Sequence, residues 1–211
     1  MPNLNPLYRA ANRLQAVCER NHWRFCFIGG LSVQRWGEPR LTNDVDLTLL
    51  TGFGEEERHI GALLREFRGR RDDAAEFALR SRVLLLKDAA GIPLDVALGA
   101  VPFEERSVAR ASPHAFAPGC RLRTCSAEDL VIHKCFASRD HDWADVEGIL
   151  IRNLRRLDFS LIRSELRSLA ELKEDPEILP RLERKIREVR DMERYSNRHR
   201  GAGKRSPRSG S

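Results

Sequence analysis

Two aspartates, Asp44 and Asp46, stand two residues apart in the apolar-framed run "DVDLTLL", and a third, Asp95, stands inside "IPLDVAL". Side chains on a strand alternate between faces, so Asp44 and Asp46 share one face while Val45 and Leu47 share the other. Carboxylates about 7 Å apart along a strand repel unless something positive lies between or beside them. Mg²⁺ is the natural partner, because it takes oxygen ligands and is commonly held by one or two carboxylates plus substrate phosphates. Asp95, flanked by Leu94 and Val96, needs a partner or a role in a strand wet on one face only. If its strand pairs beside the first, three carboxylates converge, enough for two metal ions or for one ion and a base.

A glycine pair faces these acids from the other side. Gly29 and Gly30 end the apolar run "WRFCFIGG", and thirteen residues separate Gly30 from Asp44. Without side chains, the pair lets backbone N–H groups and the start of a following helix approach a phosphate closely. Arg40 and Thr42, just before the acids, are candidates for phosphate or substrate contact.

The elements that must position these residues read as follows. A helix over 6–20 leads into a strand ending at Gly29 and Gly30, followed by a helix from Leu31 to about Trp36. After the "DVDLTLL" strand, "EEERHIGALLREFRGR" carries acids in its first turn and arginines in its last, matching a helix dipole at both ends. The strands "RVLLLK" and "IPLDVAL" are joined by "DAAG", a turn sequence. A helix is expected in "FEERSVARA" and a short strand in "CRLRT". Ser126, with Asp129 three places on, opens a capping-box-like helix. Helices follow over 143–153, 158–173 and 176–194. Mixed helix and strand first, then helices only, implies an α+β fold. A small mixed sheet with flanking helices occupies 1–125, and a C-terminal helical bundle occupies 126–195.

Composition limits the setting. Five cysteines, odd in number and without a CxxC pair, argue for a reducing compartment and against a disulfide framework or zinc site. The start of the chain lacks a signal-peptide core and no apolar run approaches 18 residues, so the protein is expected to be soluble and cytoplasmic, with no membrane partner. Residues 196–211, rich in Gly, Ser and Arg, account for five of the six net positive charges and are expected to be a disordered basic tail. In the nearly neutral remainder, the stretch from Arg106 to Arg123 has four arginines and no acid, and reads as the polyanion-contacting surface.

The pattern "IGG", thirteen residues, "DVDL", then "LDV" resembles the DNA polymerase β-like nucleotidyltransferase superfamily over residues 24 to 98. The fuller "RLTNDVDL" with the later "SAEDLVIHKCFASRDHDWADVEGIL" resembles the AbiEii-type abortive-infection nucleotidyltransferase toxins, extending the likeness to about residue 152. The resemblance implies that Gly29 and Gly30 bind the triphosphate of an NTP such as ATP, with Arg40 and Thr42 beside it. Asp44 and Asp46 would ligate Mg²⁺, and Asp95 would complete the triad and accept the proton of an attacking hydroxyl. Lys134 and Arg139 would neutralise phosphate charge, with Asp145 orienting Lys134. It further implies a toxin-like enzyme with an acceptor such as tRNA or other RNA, a protein or a small molecule, and an antitoxin protein as partner. One departure is that Gly30 stands where many members carry serine, which removes a hydroxyl contact to phosphate.

Plainer readings stand beside these. Lys134 and Arg139 suit helix ends for dipole reasons alone. Asp142 reads as a helix N-cap, and His133 and Cys135 as packing. A non-catalytic binding module on the same fold would be free to lose the three acids, and all are present. A metal-dependent phosphohydrolase would share the carboxylates but has no need of the glycine turn.

Overall fold

The computed structural model describes residues 4–202. It divides into two compact units, one ending at Leu130 and the other beginning at Val131. The expected boundary at 125 lies one helical turn earlier, because the helix that Ser126 opens runs through the division.

The first unit begins with α1 (Pro6–Arg20), started by Asn5, whose side chain accepts from Leu7 N at 2.9 Å. Its apolar stripe of Leu7, Ala10, Leu14 and Val17 is buried. Then follow β1 (Phe25–Phe27), α2 (Gly29–Trp36), β2 (Val45–Leu50), α3 (Glu56–Glu66), β3 (Arg68–Gly69), α4 (Ala74–Ser81), β4 (Val83–Lys87) and β5 (Pro93–Gly99). The unit continues with α5 (Pro102–Arg110), β6 (Ser112–Ala117), β7 (Cys120–Thr124) and the start of α6 (Ala127–Ala137). Ser126 caps α6 by accepting from Asp129 N at 3.1 Å.

The strands form one mixed seven-stranded sheet in the order β3-β4-β5-β2-β1-β7-β6. β2 and β5 are parallel, as are β1 and β7, and the other neighbours are antiparallel. On one face Val45, Leu47, Leu49, Leu84, Leu86, Leu94 and Val96 are sealed against Leu14, Leu63 and Ala78 from α1, α3 and α4. Each such leucine contributes about 1.5–3 kcal/mol by leaving water. The alternation that buries these side chains turns Asp46 and Asp95 to the opposite face.

The β4–β5 turn fixes their register. Asp88 Oδ1 accepts from Ala90 N and Ile92 N, both at 2.9 Å, and Gly91 takes a left-handed φ of +83°. Leu85 then faces Asp95, and on the other side of β5 Asp46 faces Asp95.

The second unit contains the rest of α6, then α7 (Asp140–Asn153), α8 (Phe159–Lys173) and α9 (Ile178–Ala202). Asp158 caps α8, accepting from Ser160 N at 2.9 Å and Leu161 N at 3.0 Å. Val146, Ile149, Ile162, Leu166, Leu182 and Ile186 are buried. Arg163 pairs with Glu183 at 2.6 Å and Lys185 with Glu147 at 3.0 Å.

The expected disordered tail begins as helix instead, since α9 continues through Ala202. Once a helix is nucleated, each further residue adds a hydrogen bond at little cost. Side-chain pairs of helical spacing, such as Tyr195 against His199 at 4.0 Å, continue along it. Residues 203–211 of the expected tail lie outside the described residues. No helix among the described residues is long and apolar enough to cross a membrane.

Candidate active site

β1 delivers the glycine turn and β2 the first two acids. Ile28 N donates to Asp46 O at 3.0 Å, tying the turn to the acidic strand. Gly29 adopts a φ of +59°, and a Cβ there would overlap the Asp46 carboxylate and fall 2.7 Å from Asp46 Cβ. Only glycine satisfies both the backbone and the close approach. α2 starts at this glycine and is held by Ser32 Oγ on Phe27 O at 2.9 Å and by Trp36 Nε1 on Cys125 O at 2.9 Å. Arg35 adds contacts to Ser112 O at 2.9 Å and Thr124 Oγ1 at 2.8 Å. The free N–H groups of α2 therefore open beside Asp46.

Gly30 is confined in the same way by Thr42. A Cβ at Gly30 would overlap Thr42 Oγ1 and lie 2.7 Å from Thr42 Cβ. That hydroxyl also donates to Asp44 Oδ1 at 2.9 Å. Asp44 stands one residue before β2 begins, and Arg40 lies exposed on the preceding loop.

Asp95, mid-strand in β5, is the register partner of Asp46. Burial pushes its carboxyl above the ordinary range, and the Asp44 charge adds to the rise, while Arg70 opposes it. Arg70, in the bend after β3, forms an ion pair with Asp95 and fixes its own backbone on Leu85 O at 3.0 Å.

The arrangement differs from three converging carboxylates in one respect. Asp95 is engaged by a guanidinium, which offsets the cost of half-burying a bare charge. Among the described residues, no group of three His, Cys, Asp or Glu is placed to hold a metal ion. Asp44 and Asp46 still fit Mg²⁺, because this ion needs only one or two carboxylates when phosphates and waters supply the rest. The overlap that excludes a side chain at Gly29 keeps backbone, not bulk, against Asp46.

In the second unit, Lys134 is buried and pairs with Asp142 at 2.9 Å and Asp145 at 2.7 Å. Arg139 Nε reaches Asp142 at 2.6 Å, and its side chain is 64% exposed. Burial pushes the Asp142 carboxyl up, but hydrogen bonds from Arg139 and Lys134 outweigh it and hold the group below its ordinary range. Gly29, Gly30, Thr42, Asp44, Asp46 and Asp95 are thus brought together in the first unit, and Lys134, Arg139 and Asp145 meet within the second.

Arg70 and Asp142 were missed as site residues. Expected as the N-cap of α7, Asp142 instead stands at its third position and accepts from Arg139 N at 3.3 Å, with Arg139 at the N-cap. The "RGRR" around Arg70 is a cationic signal, but nothing local links it to an acid 25 residues on.

The family model "Nucleotidyl transferase AbiEii toxin, Type IV TA system" matches residues 14–202. Among solved structures, an antigenic nucleotidyltransferase-like protein from Paracoccidioides brasiliensis is similar at 14% identity and a TM-score of 0.48, covering 84% of this chain and 92% of that one. ANT(2")-Ia in complex with adenylyl-2"-tobramycin is similar at 15% identity and a TM-score of 0.48, covering 74% and 94%. The lincosamide antibiotic adenylyltransferase LnuA, lincomycin-bound, is similar at 11% identity and a TM-score of 0.44, covering 70% and 97%. No curated protein matches the chain. With nearly its whole described length matched, from the second half of α1 to the end of α9, the chain belongs to the AbiEii nucleotidyltransferase family.

Proposed function

We propose that this nucleotidyltransferase moves a nucleoside monophosphate from an NTP, such as ATP, to an acceptor hydroxyl and releases pyrophosphate. The observation that carries the reading is the parallel register of Asp46 and Asp95, with Gly29 backbone against the Asp46 carboxylate. The positive N-terminal end of α2, bare of side chains at Gly29 and Gly30, receives the triphosphate. Asp44, oriented by Thr42, and Asp46 would hold Mg²⁺, which would supply screening of the triphosphate charge and polarisation of the reacting phosphorus. Asp95 accepts the proton of the acceptor hydroxyl as its oxygen bonds to the α-phosphorus. The bond from that phosphorus to the bridging oxygen breaks, and its electron pair leaves with pyrophosphate. Burial makes Asp95 a better base than an exposed aspartate, and Arg70 keeps it ionised and oriented.

Arg139, held on Asp142 and exposed along much of its length, is one of the solvent-reaching cations of the second unit, and we infer that it meets an anionic substrate. Lys134, enclosed by Asp142 and Asp145, sets that acid in place. The toxin description of the family supports an antitoxin partner; for the acceptor we infer tRNA or another RNA, a protein or a small molecule, met in the cytoplasm.

Purified protein incubated with Mg²⁺, labelled NTPs and total RNA tests the reading. Label is expected to move to an acceptor in the wild type and to be lost in Asp44→Ala. Release of free phosphate without labelled acceptor would identify a hydrolase. Nucleotide binding without turnover, across nucleotides and acceptor pools, would identify a binding module.

A further inference from the structure

Asp46 and Asp95 are register partners on parallel strands, so their side chains leave one face of the sheet from backbones about 4.8 Å apart. Carboxylates so close repel each other unless a cation stands by them. The chain supplies such a cation itself, in the ion pair of Arg70 with Asp95. Arg70 N donates to Leu85 O at 3.0 Å, and Leu85 is in turn the register partner of Asp95. Arg70, Leu85 and Asp95 thus form a row across three neighbouring backbones, a span of about 10 Å that an extended arginine and an aspartate bridge together.

The neighbouring cations leave this role to Arg70. Arg71 is taken by Asp73 at 2.7 Å and lies over the Phe77 ring at 4.5 Å. Arg68 is the register partner of Lys87, on the face that also carries Leu85 and Asp95. The Arg70 guanidinium therefore meets like charge along its own edge of the sheet and opposite charge toward the acids. The Arg70 and Asp95 side chains are 30% and 32% exposed, so their pair opens without disturbing the core.

We propose that Arg70 is a built-in counter-cation that withholds Asp95 from divalent metal, so that the protein retains the ion firmly only when a nucleotide triphosphate is bound with it. The proposal rests on the transfer reading for the cation at Asp44 and Asp46, and adds how its binding is controlled. With Arg70 in place the ion has two carboxylates, which suffice once phosphates and waters complete its shell. Without the guanidinium the ion gains a third carboxylate and loses a repelling charge. A carboxylate kept off the metal also stays free to take the proton of the acceptor hydroxyl.

Mn²⁺, which takes the same oxygen ligands as Mg²⁺ and is followed by electron paramagnetic resonance, tests this on the full chain without nucleotide. Arg70→Gln and Arg70→Met are each expected to raise Mn²⁺ affinity about tenfold, the lower end of what changing the partner of a metal ligand does. Arg70→Lys, which keeps the charge, is expected to stay near the wild type. In an Asp95→Asn background, Arg70→Gln is expected to bring no gain over Asp95→Asn alone. An ATP analogue with a methylene group between the α- and β-phosphorus is expected to tighten protein-bound Mn²⁺ more in the wild type than in Arg70→Gln. An arginine that only held the fold would lower the melting temperature without raising Mn²⁺ affinity. Unchanged or lower affinity in both Arg70→Gln and Arg70→Met overturns the proposal, as does a gain that persists beside Asp95→Asn, or equal tightening by the analogue. Pyrophosphate release with Mg²⁺, measured separately, reports on the transfer reading. Release by the wild type without an Mn²⁺ gain in the variants leaves transfer standing and removes this role from Arg70, and a gain without release does the reverse.

Discussion

The Thr42 hydroxyl stands where a side chain on residue 30 would stand, so the two positions share one space. Gly30→Ser alone is expected to destabilise by about 1–3 kcal/mol, the usual cost of overpacking. Thr42→Ala alone removes the hydrogen bond to Asp44 and is expected to weaken Mg²⁺-dependent nucleotide binding. Combined, Gly30→Ser and Thr42→Ala are expected to recover part of the stability lost in Gly30→Ser, because the overlap with the Thr42 hydroxyl is relieved while the Cβ contact at 2.7 Å remains. Thermal melting and nucleotide titration of the three variants check this, and a double variant no better than Gly30→Ser would refute it. Asp142 carries a pH signature. Its folded pKa lies below the ordinary aspartate value of 3.8, so its contribution to stability is present above that value and disappears as pH falls through the folded one. Asp142→Asn is expected to flatten the acid limb of the stability profile, measured by urea unfolding between pH 5 and pH 2, a range of about one to two units around the ordinary value.

Among the elements, α6 and α7 are joined by charge in an enclosed place. Lys134→Met leaves Asp142 and Asp145 buried without their ammonium and is expected to cost about 3–5 kcal/mol in urea unfolding. A loss under 1 kcal/mol, the level of an exposed pair, would contradict the burial described. The long elements were legible because their patterns are strong: α1 and α8 show helical spacing of leucines, and β2 and β5 alternate. α4 was not legible, since it buries only Ala74 and Ala78, too small to mark a face. β6, "SPHAFA", hides behind Pro113 and short side chains, which an edge strand tolerates because its outer N–H groups need no partner. The site was half legible for the same kind of reason. Gly29, Asp44 and Asp46 announce themselves by local spacing, whereas Arg70 meets Asp95, and Lys134 meets Asp142, only after the chain has folded.

At the scale of the molecule, the cysteines test whether the interior is as closed as the packing indicates. All five are buried and unpaired. Burial pushes the Cys18 and Cys125 thiols up to about 12 and Cys120 up to about 11. Iodoacetamide at pH 8 is therefore expected to label none of them within minutes in the native protein and all five in urea, as intact mass will show. The Asp88–Gly91 turn carries a consequence for the whole enzyme. Sliding β5 by one residue against its neighbours would bring Leu94 or Val96 opposite Asp46 and send Asp95 into the core. Such a misaligned chain would have the right elements and no chemistry, so fidelity of a surface hairpin governs whether a newly made molecule is active at all. Asp88→Ala is expected to lower the active fraction of refolded protein while leaving the turnover of correctly paired molecules unchanged, placing a quality check on activity at a residue that never meets substrate.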